Sequence, residues 1–312
     1  MKRSVSVAPE VPTVMHAVRL HEPIGADGLE LDAIGVPRVR IDEVLVRVHA
    51  AAITRDELTW PTDRLPAIPS YELSGVVAAV GRKVNSVSVG DAVFSLTGFE
   101  RDGAAAEFTA VPADRLAPKP AGVDHVVSAA VPLAGLTALQ GLLDHGELEQ
   151  GQRVLVTGAA GDVGRLAVQL ARLYGAYVIG SSSRAAAQRV RGLGAHEVLE
   201  RATFRAGDTE PVNLILDTAG GSALERAAGL LARGGRVVCV AEEPREIAPR
   251  VDARYFVVKP DRERLVELAR LVAAGSLRVD IDSVFPLAEA RAAFTRSRAR
   301  ARRGKVVLQV VA

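Results

Sequence analysis

Residues 153–175, RVLVTGAAGDVGRLAVQLARLYG, constrain this chain more than any other stretch. They open on Val154, Leu155, Val156 and Thr157, a run suited to a buried parallel strand. Gly158, Gly161 and Gly164 follow at even spacing. Beyond them the pattern turns helical: Val163, Leu166, Ala167, Leu170 and Leu173 share one face, and Arg165, Gln169 and Arg172 the other. Gly175 stands where a helix ends on a left-handed residue. So tight a turn from strand to helix favours positive φ at Gly158. Gly161 lets the backbone approach a pyrophosphate with no Cβ in the way. Gly164 lets the new helix pack closely on its strand, and the N–H groups around Ala160, Asp162 and Val163 then face the anion. The glycine spacing alone is a weak sign, since a glycine-rich turn produces it too. A second strand over 177–180 follows at once, and that context reads as a dinucleotide site.

The end of the second strand reports which dinucleotide. A site for NAD places an acidic residue about 20 residues past the glycines, where it holds the ribose 2′-hydroxyl. Here that point reads Ser181, Ser182, Ser183, Arg184, with no carboxylate beside them in the sequence. Hydroxyls and a guanidinium suit a 2′-phosphate, which an aspartate would repel. The expected cofactor is therefore NADP(H). The bland alternative is a solvated polar loop that touches no ligand.

A chain of 312 residues has room for two domains, and 48% hydrophobic with 24% charged residues is ordinary for a soluble globular protein. A net charge of +2 gives no argument for nucleic acid or a membrane surface. No apolar run reaches the roughly 18 residues of a membrane span, and no signal-peptide core is present, so a cytoplasmic protein is expected. The single cysteine, Cys239 in VVCV, reads as an inert core thiol.

Residues 1–13 lack periodicity and read as a loose extension. From there to about residue 120 short β-rich runs alternate with Gly, Pro and Asp: 15–20, 43–50, 75–80, 92–95 and 105–111. A helical pattern covers 121–146. Strands at 197–199, 214–216 and 236–240 then alternate with a helix over 222–231, the signature of a doubly wound parallel sheet. A helix over 262–274, a strand-like SLRVDIDSVFPL, a helical AEARAAF and a last strand over 305–310 close the chain. These closing strands are expected to return to the first domain. The expected division is a substrate domain over 14–125 and 275–312, and a nucleotide domain over 126–274.

With these pieces in place, residues 15–312 resemble the medium-chain dehydrogenase/reductase superfamily, and within it the zinc-independent quinone oxidoreductase and enoyl reductase branch. The resemblance is carried by Tyr71-Glu72-Leu73-Ser74-Gly75-Val76, Val89-Gly90-Asp91-Ala92-Val93, Leu136-Thr137-Ala138 and the AAGDVG loop. It continues through Leu193-Gly194-Ala195, residues 217–221, Phe285-Pro286-Leu287 and Gly304-Lys305-Val306-Val307-Leu308. It implies an α/β chain with a GroES-like barrel joined to a Rossmann domain, an active site in the cleft between them, and a homodimer joined through sheet edges. It also implies that Thr137 lies near the nicotinamide ribose or phosphates and that Thr218 belongs to the cofactor site. Backbone of Val240, Ala241, Phe256 and Val257 would pass the nicotinamide. Lys305 would approach the cofactor, its rival reading being a plain lysine at a strand start.

Zinc-dependent relatives carry a C-x-x-D segment, then G-H-E, then a further Cys or acid near the domain junction. Here Ile53 stands at the first Cys position, ahead of Asp56, and Tyr71 at the His position; Leu133, Ala134 and Gly135 stand near the junction. The six histidines show no paired ligand spacing. Tetrahedral zinc needs thiolate, imidazole or carboxylate donors, so no metal is expected. Without a Lewis acid, an already polarised acceptor, a quinone or enone, is the substrate class that follows. Tyr71, Thr54 and Asp56 are the candidate catalytic residues, with Arg55 nearby. Tyr71 could donate a proton or be packed as wall. Relatives commonly carry Asn where Ile53 stands, so the usual contact there is missing. Trp60 reads either as the wall of an aromatic pocket or as a loop anchor.

Four other readings compete. Tyr255-Phe256-Val257-Val258-Lys259 matches the Y-x-x-x-K of short-chain dehydrogenases, but that motif needs a helix, and these β-favouring residues precede Pro260. The arginine-rich TRSRARARRGK could suggest nucleic acid, yet it lacks interleaved aromatics and reads as a solvated helix end. A non-catalytic NADP(H)-binding protein, or a tailoring reductase of a polyketide-like aromatic intermediate, remain alternatives to a quinone reductase.

Overall fold

The computed structural model describes residues 11–61, 63–299 and 302–311. Of the expected N-terminal extension, residues 1–10 lie outside that description, as does Arg300 of the arginine-rich segment. Val11 packs against a hydrophobic core, and the Thr13 carbonyl accepts the Val36 N–H at 3.1 Å. In chain order the elements are β1 (Val14–Leu20), β2 (Leu29–Gly35), β3 (Glu43–Ile53), β4 (Glu72–Val80), β5 (Ala92–Leu96), β6 (Phe108–Pro112) and β7 (Leu116–Pro118). Helices α1 (His125–Ala129) and α2 (Pro132–Leu139) follow, the latter running on into a π-turn at Gln140–His145. Next come β8 (Arg153–Val156), α3 (Asp162–Leu173), β9 (Tyr177–Ser182), α4 (Ala187–Gly192), β10 (Glu197–Glu200), β11 (Val212–Asp217), α5 (Gly221–Ala228), β12 (Leu231–Cys239) and β13 (Asp252–Tyr255). Helix α6 (Arg262–Ala273), β14 (Ile281–Pro286), α7 (Ala290–Ser297) and β15 (Lys305–Gln309) complete the chain.

The chain forms two compact units, Met1–Leu133 with Pro260–Ala312, and Ala134–Lys259. Both seams differ from the sequence expectation, for visible reasons. Ala129 and Ala130, at the end of α1, pack on Ala50 and Ala52 of β3, so α1 stays with the first unit. Arg262, opening α6, donates its Nε–H to the Leu116 carbonyl at 3.0 Å, which holds that helix to the first unit too.

In the first unit the sheet order is β14-β15-β3-β4-β5-β7, with β6 also on β3. The sequence EVLVRVHAAAI makes β3 its axis, because nine of its eleven residues are buried and both faces need cover. One cover is Leu73, Val77, Val93, Val111 and Leu116; the other includes Met15, Leu20, Phe108, Leu287 and Phe294. Fully burying a side chain such as Phe294 contributes about 1.5–3 kcal/mol. The closing strands do return here: β15 lies antiparallel on β3, with Val306 opposite Ile53 and Gln309 opposite Ala50, and β14 runs parallel to β15. The β1–β2 hairpin includes a strand, LELDAIG, whose mixed polarity hid it from the sequence reading.

In the second unit all six strands are parallel, in the order β10-β9-β8-β11-β12-β13. Numbered within that unit, this is 3-2-1-4-5-6, the Rossmann order, whose ligands sit at the C-terminal strand ends where the order reverses. Here the reversal falls between β8 and β11. Residues 256–260 are not helical, in line with the rejection of Y-x-x-x-K. Both faces of α3 are covered over Gly164 to Ala171. Arg165 and Gln169 are buried, not solvated: Arg165 Nε donates to the Ala160 carbonyl at 3.0 Å, and Gln169 Nε2 to the Arg165 carbonyl at 3.1 Å. Leu173, expected inside, is 48% exposed in the last turn.

Candidate nucleotide-site and active-site residues

The glycine loop lies at the C-terminal end of β8. Gly158 has φ +60°, and a Cβ there would stand 2.6 Å from Thr218 Oγ1. A Cβ at Gly164 would fall 2.2 Å from the Gly158 carbonyl oxygen, which no backbone could tolerate. Gly161 is the N-cap of α3 and brings no side chain to cap it, so the first-turn N–H groups stay directed outward beside Asp162 and Val163. The loop is braced from below. Thr157 donates its hydroxyl to the buried Asp217 carboxylate in a short hydrogen bond; Thr218 donates its N–H to Thr157 Oγ1 at 3.1 Å and its hydroxyl to the Thr157 carbonyl at 2.8 Å. The Gly220 N–H closes on the other Asp217 oxygen at 2.9 Å. Burial pushes the Asp217 pKa up, against those donors. Sequence reasoning placed Thr218 here but did not see Asp217 as its brace.

The four residues 181–184, at and just beyond the end of β9, divide. Ser181 and Ser182 are buried; Ser182 Oγ bonds the Ser183 carbonyl, whereas Ser181 Oγ has no partner among the described residues. Ser183 and Arg184 are exposed, the Arg184 side chain by 94%. Glu200, at the end of neighbouring β10, brings a carboxylate 3.8 Å from Arg184 Nε. The sequence could not show this acid, because it arrives from the next strand. The remaining expected cofactor residues are spread along the unit: Thr137 is buried on α2, Val240 and Ala241 leave the end of β12, and Phe256 stacks on His145 at 4.2 Å while Val257 is exposed. The orphaned Ser181 hydroxyl and the uncapped start of α3 both fit a bound dinucleotide.

In the first unit, a polar cluster forms where β3, β4 and β15 meet. Lys305 is buried; its ammonium forms an ion pair with Glu72 and donates to Thr54 Oγ1 at 3.1 Å. Glu72, also buried, takes the Leu133 N–H at 2.9 Å and lies 3.5 Å from the Thr54 hydroxyl. Glu57 is fully buried, with one oxygen 3.5 Å from Ser70 Oγ and the other, Oε2, unpartnered among the described residues. Ser70 holds φ +64°, an uncommon angle for a residue with a Cβ. Of the three candidates from sequence, only Thr54 belongs to this cluster. Asp56 is exposed, one residue short of the buried acid, and Arg55 is exposed too, bonding the Arg298 carbonyl at 3.3 Å. The single turn Glu57–Thr59 rotates Asp56 out and Glu57 in, a twist no spacing argument could resolve.

Tyr71 lies against that cluster but faces elsewhere. Its hydroxyl accepts from Arg64 Nη2 at 3.2 Å, and the same guanidinium serves the Phe99 and Arg101 carbonyls. Its ring meets Trp60 at 5.6 Å and Phe99 at 5.4 Å, with Trp60 36% exposed. Burial raises the phenol to about 12.

Two family models match: "Alcohol dehydrogenase GroES-like domain" over residues 40–121 and "Zinc-binding dehydrogenase" over 193–308. The NADPH-dependent alkenal/one oxidoreductase of Arabidopsis thaliana is 32% identical, over 98% of this chain and 82% of its own. A probable zinc-binding oxidoreductase of Arthroderma benhamiae is 30% identical, over 94% and 96%. The quinone oxidoreductase of Coxiella burnetii superposes with a TM-score of 0.89 at 29% identity, over 96% of this chain and 100% of that one. The fold is thus a GroES-like unit with a Rossmann unit, and the chain belongs to the medium-chain dehydrogenase/reductase superfamily, in its quinone oxidoreductase branch. It is an oxidoreductase of a kind that works with a nicotinamide nucleotide.

One family model names zinc, and the residues here do not fit it. Ile53 offers no donor, Tyr71 is engaged by Arg64, and Glu72 is already held by Lys305 and the Leu133 N–H. Elsewhere His21, Glu30 and Asp32 come together on the β1–β2 hairpin, a grouping that the histidine spacing did not reveal. Asp32 there already accepts from His21 at 3.0 Å and Arg19 at 3.3 Å. No helix among the described residues is long and apolar enough to cross a membrane.

Proposed function

We propose that this protein reduces a quinone or another conjugated carbonyl with NADPH and without a metal. The observation that carries the reading is the makeup of the first unit's polar cluster. It holds an ammonium, a hydroxyl and two carboxyls that can manage charge and protons, beside Ile53 and Tyr71, which offer no free metal donor. The nicotinamide, when bound, supplies hydride. The chain's own groups do the rest. The N–H groups at the start of α3 hold the pyrophosphate, and Ser183 with Arg184 meets the 2′-phosphate. Thr54, backed by Lys305, holds the acceptor oxygen where negative charge develops. Trp60, the partly exposed member of an aromatic group with Tyr71 and Phe99, offers a face on which a flat acceptor stacks. The names of relatives, an NADPH-dependent alkenal/one oxidoreductase and a quinone oxidoreductase, support the same class.

The test is direct. Purified protein, with its metal content measured, is mixed with NADPH or NADH and a panel of quinones and enones while nicotinamide absorbance is followed. NADPH-dependent turnover by metal-free protein is expected. Binding of NADPH with no turnover on any acceptor would leave a binding protein, and activity that tracks a stoichiometric metal would overturn the reading.

A further inference from the structure

Glu72 is the carboxyl of the polar cluster with partners on both oxygens, and its place in the sheet explains why. On one side of β3, Glu72 of β4 lies opposite Ala52; on the other, Val306 of β15 lies opposite Ile53. Glu72 and Lys305 therefore flank the end of β3, and their side chains meet across it, next to Thr54. Both are closed off, Glu72 at 0% and Lys305 at 3% exposed. Either charge alone would be stranded there, and each answers the other. Glu72 is itself fixed. Its Oε1 takes the ammonium, and its Oε2 takes the Leu133 N–H at 2.9 Å, in the first turn of α2, where a backbone N–H has no partner within the helix.

What this pair does to Thr54 follows from counting hydrogens. An ammonium only donates. Lys305 gives one hydrogen to Thr54 Oγ1 at 3.1 Å, so the threonine oxygen accepts there and its own single hydrogen is spent elsewhere. Within the cluster its taker is Glu72 Oε1, at 3.5 Å, beyond the about 2.5–3.0 Å of an ordinary O–H···O bond. So long a contact cannot keep the hydrogen from an oxygen that is turning negative. Thr54 is also the way out: it is half-buried, whereas Glu57, Glu72, Ser70 and Lys305 are all closed off. We propose that Glu72 is a positioning residue for the reduction: it fixes the Lys305 ammonium on the Thr54 oxygen, and so makes the Thr54 hydroxyl a donor aimed at the acceptor oxygen. The inference rests on the reductase reading above and adds to it the group that aims Thr54. In the resting protein the threonine hydrogen lies loosely on Glu72. As charge gathers on the acceptor oxygen it swings there, and the bond from Lys305 polarises the hydroxyl and strengthens its donation. No proton changes hands in this step.

The test is a mutant cycle on the whole protein. Glu72→Gln together with Lys305→Met removes both charges at once and strands neither, so the double variant should fold and melt cooperatively. Its kcat should fall about 10²-fold with acceptor KM and NADPH affinity unchanged, because the lost interaction is one made in the transition state. Thr54→Val should lose about as much and Thr54→Ser little. All three changes together should lose no more than Thr54→Val alone, since the groups act as one unit. Binding gives a second readout: with NADP present, 4-nitrophenolate, standing for the charged product, should bind wild type about 10-fold more tightly than the double variant, and nitrobenzene should bind both equally. If the double variant does not fold, Glu72→Asp keeps both charges and shortens the reach; its kcat should fall about 10-fold with KM unchanged. Losses that multiply in the triple variant, equal phenolate binding, or wild-type kcat in Glu72→Asp would overturn the proposal. A wild type that turns over no acceptor takes down the reductase reading and this inference with it, whereas an active wild type with multiplying losses removes this inference alone.

Discussion

Arg184 is the most exposed residue to which this reading gives a task. A charge-assisted hydrogen bond to a 2′-phosphate contributes about 1.5–3 kcal/mol. Arg184→Ala should therefore weaken NADPH binding about 10- to 100-fold and NADH hardly at all, measured by fluorescence titration. Glu200 lies 3.8 Å from the same guanidinium and would face the phosphate as a like charge. Glu200→Gln should tighten NADPH; equal effects on both nucleotides in either variant would show that this corner does not read the phosphate. Tyr71 is a different case. Its hydroxyl already accepts from Arg64, so Tyr71→Phe should cost about 1 kcal/mol of stability in denaturant titration and leave kcat within a few-fold. A loss near 10²-fold would return the acid's role to the tyrosine. Asp56→Ala, at an exposed site, should change neither stability nor turnover appreciably.

At the scale of elements, pattern and chemistry were unequally legible. The strand, glycine loop and helix over 153–175 were readable because each glycine answers a local steric need: Gly158 sits at φ +60°, and a Cβ on Gly164 would strike the Gly158 carbonyl. Gly164→Ala should accordingly destabilise by about 1–3 kcal/mol in denaturant titration. Five of the six parallel strands were readable from the sequence; β13, DARY, has no apolar run to mark it. The burial of Arg165 and Gln169 was not legible, because periodicity reports which side is apolar, not whether the polar side is also covered. Glu57 and Glu200 were missed because one turn of helix, or one neighbouring strand, decides what meets what. The stacked imidazoles of His49 on β3 and His125 on α1 belong to the same class, with centroids 4.3 Å apart and Ser74 Oγ 2.8 Å from His125 Nδ1. Burial, with His49 beside it, lowers His125 from 6.5 to about 4. Between those values the unfolded chain binds the proton and the folded one does not, so stability falls as pH drops through that window. Thermal melts should show a steeper acid loss in wild type than in His125→Gln.

For the molecule as a whole, the family and the two-unit plan were legible because glycine turns and apolar runs recur in fixed order along most of the chain. The seams were not, since a helix such as α6 looks the same whichever core it joins. One edge of the parallel sheet is β13; Tyr255 at its end is 42% exposed, and Val257 just beyond it 54%. An unpaired strand edge invites a second copy. The expected homodimer would use it, and Val257→Asp should shift the mass seen by light scattering from dimer to monomer. A wild type that is already monomeric would dispose of that expectation.

The pairing of β15 with β3 joins residues about 250 positions apart, with the whole nucleotide-binding unit lying between them in the chain. A nascent polypeptide leaving the ribosome therefore completes its Rossmann sheet while the last residues of the central strand of its other unit, Ala50 to Ile53, still wait for a neighbour on one side. During that interval this end of β3 offers bare backbone donors and acceptors along one side to whatever is near. Holding that strand safe until translation ends is work for a chaperone, and ribosome-bound chains stopped short of residue 305 should be markedly more sensitive to protease than finished ones.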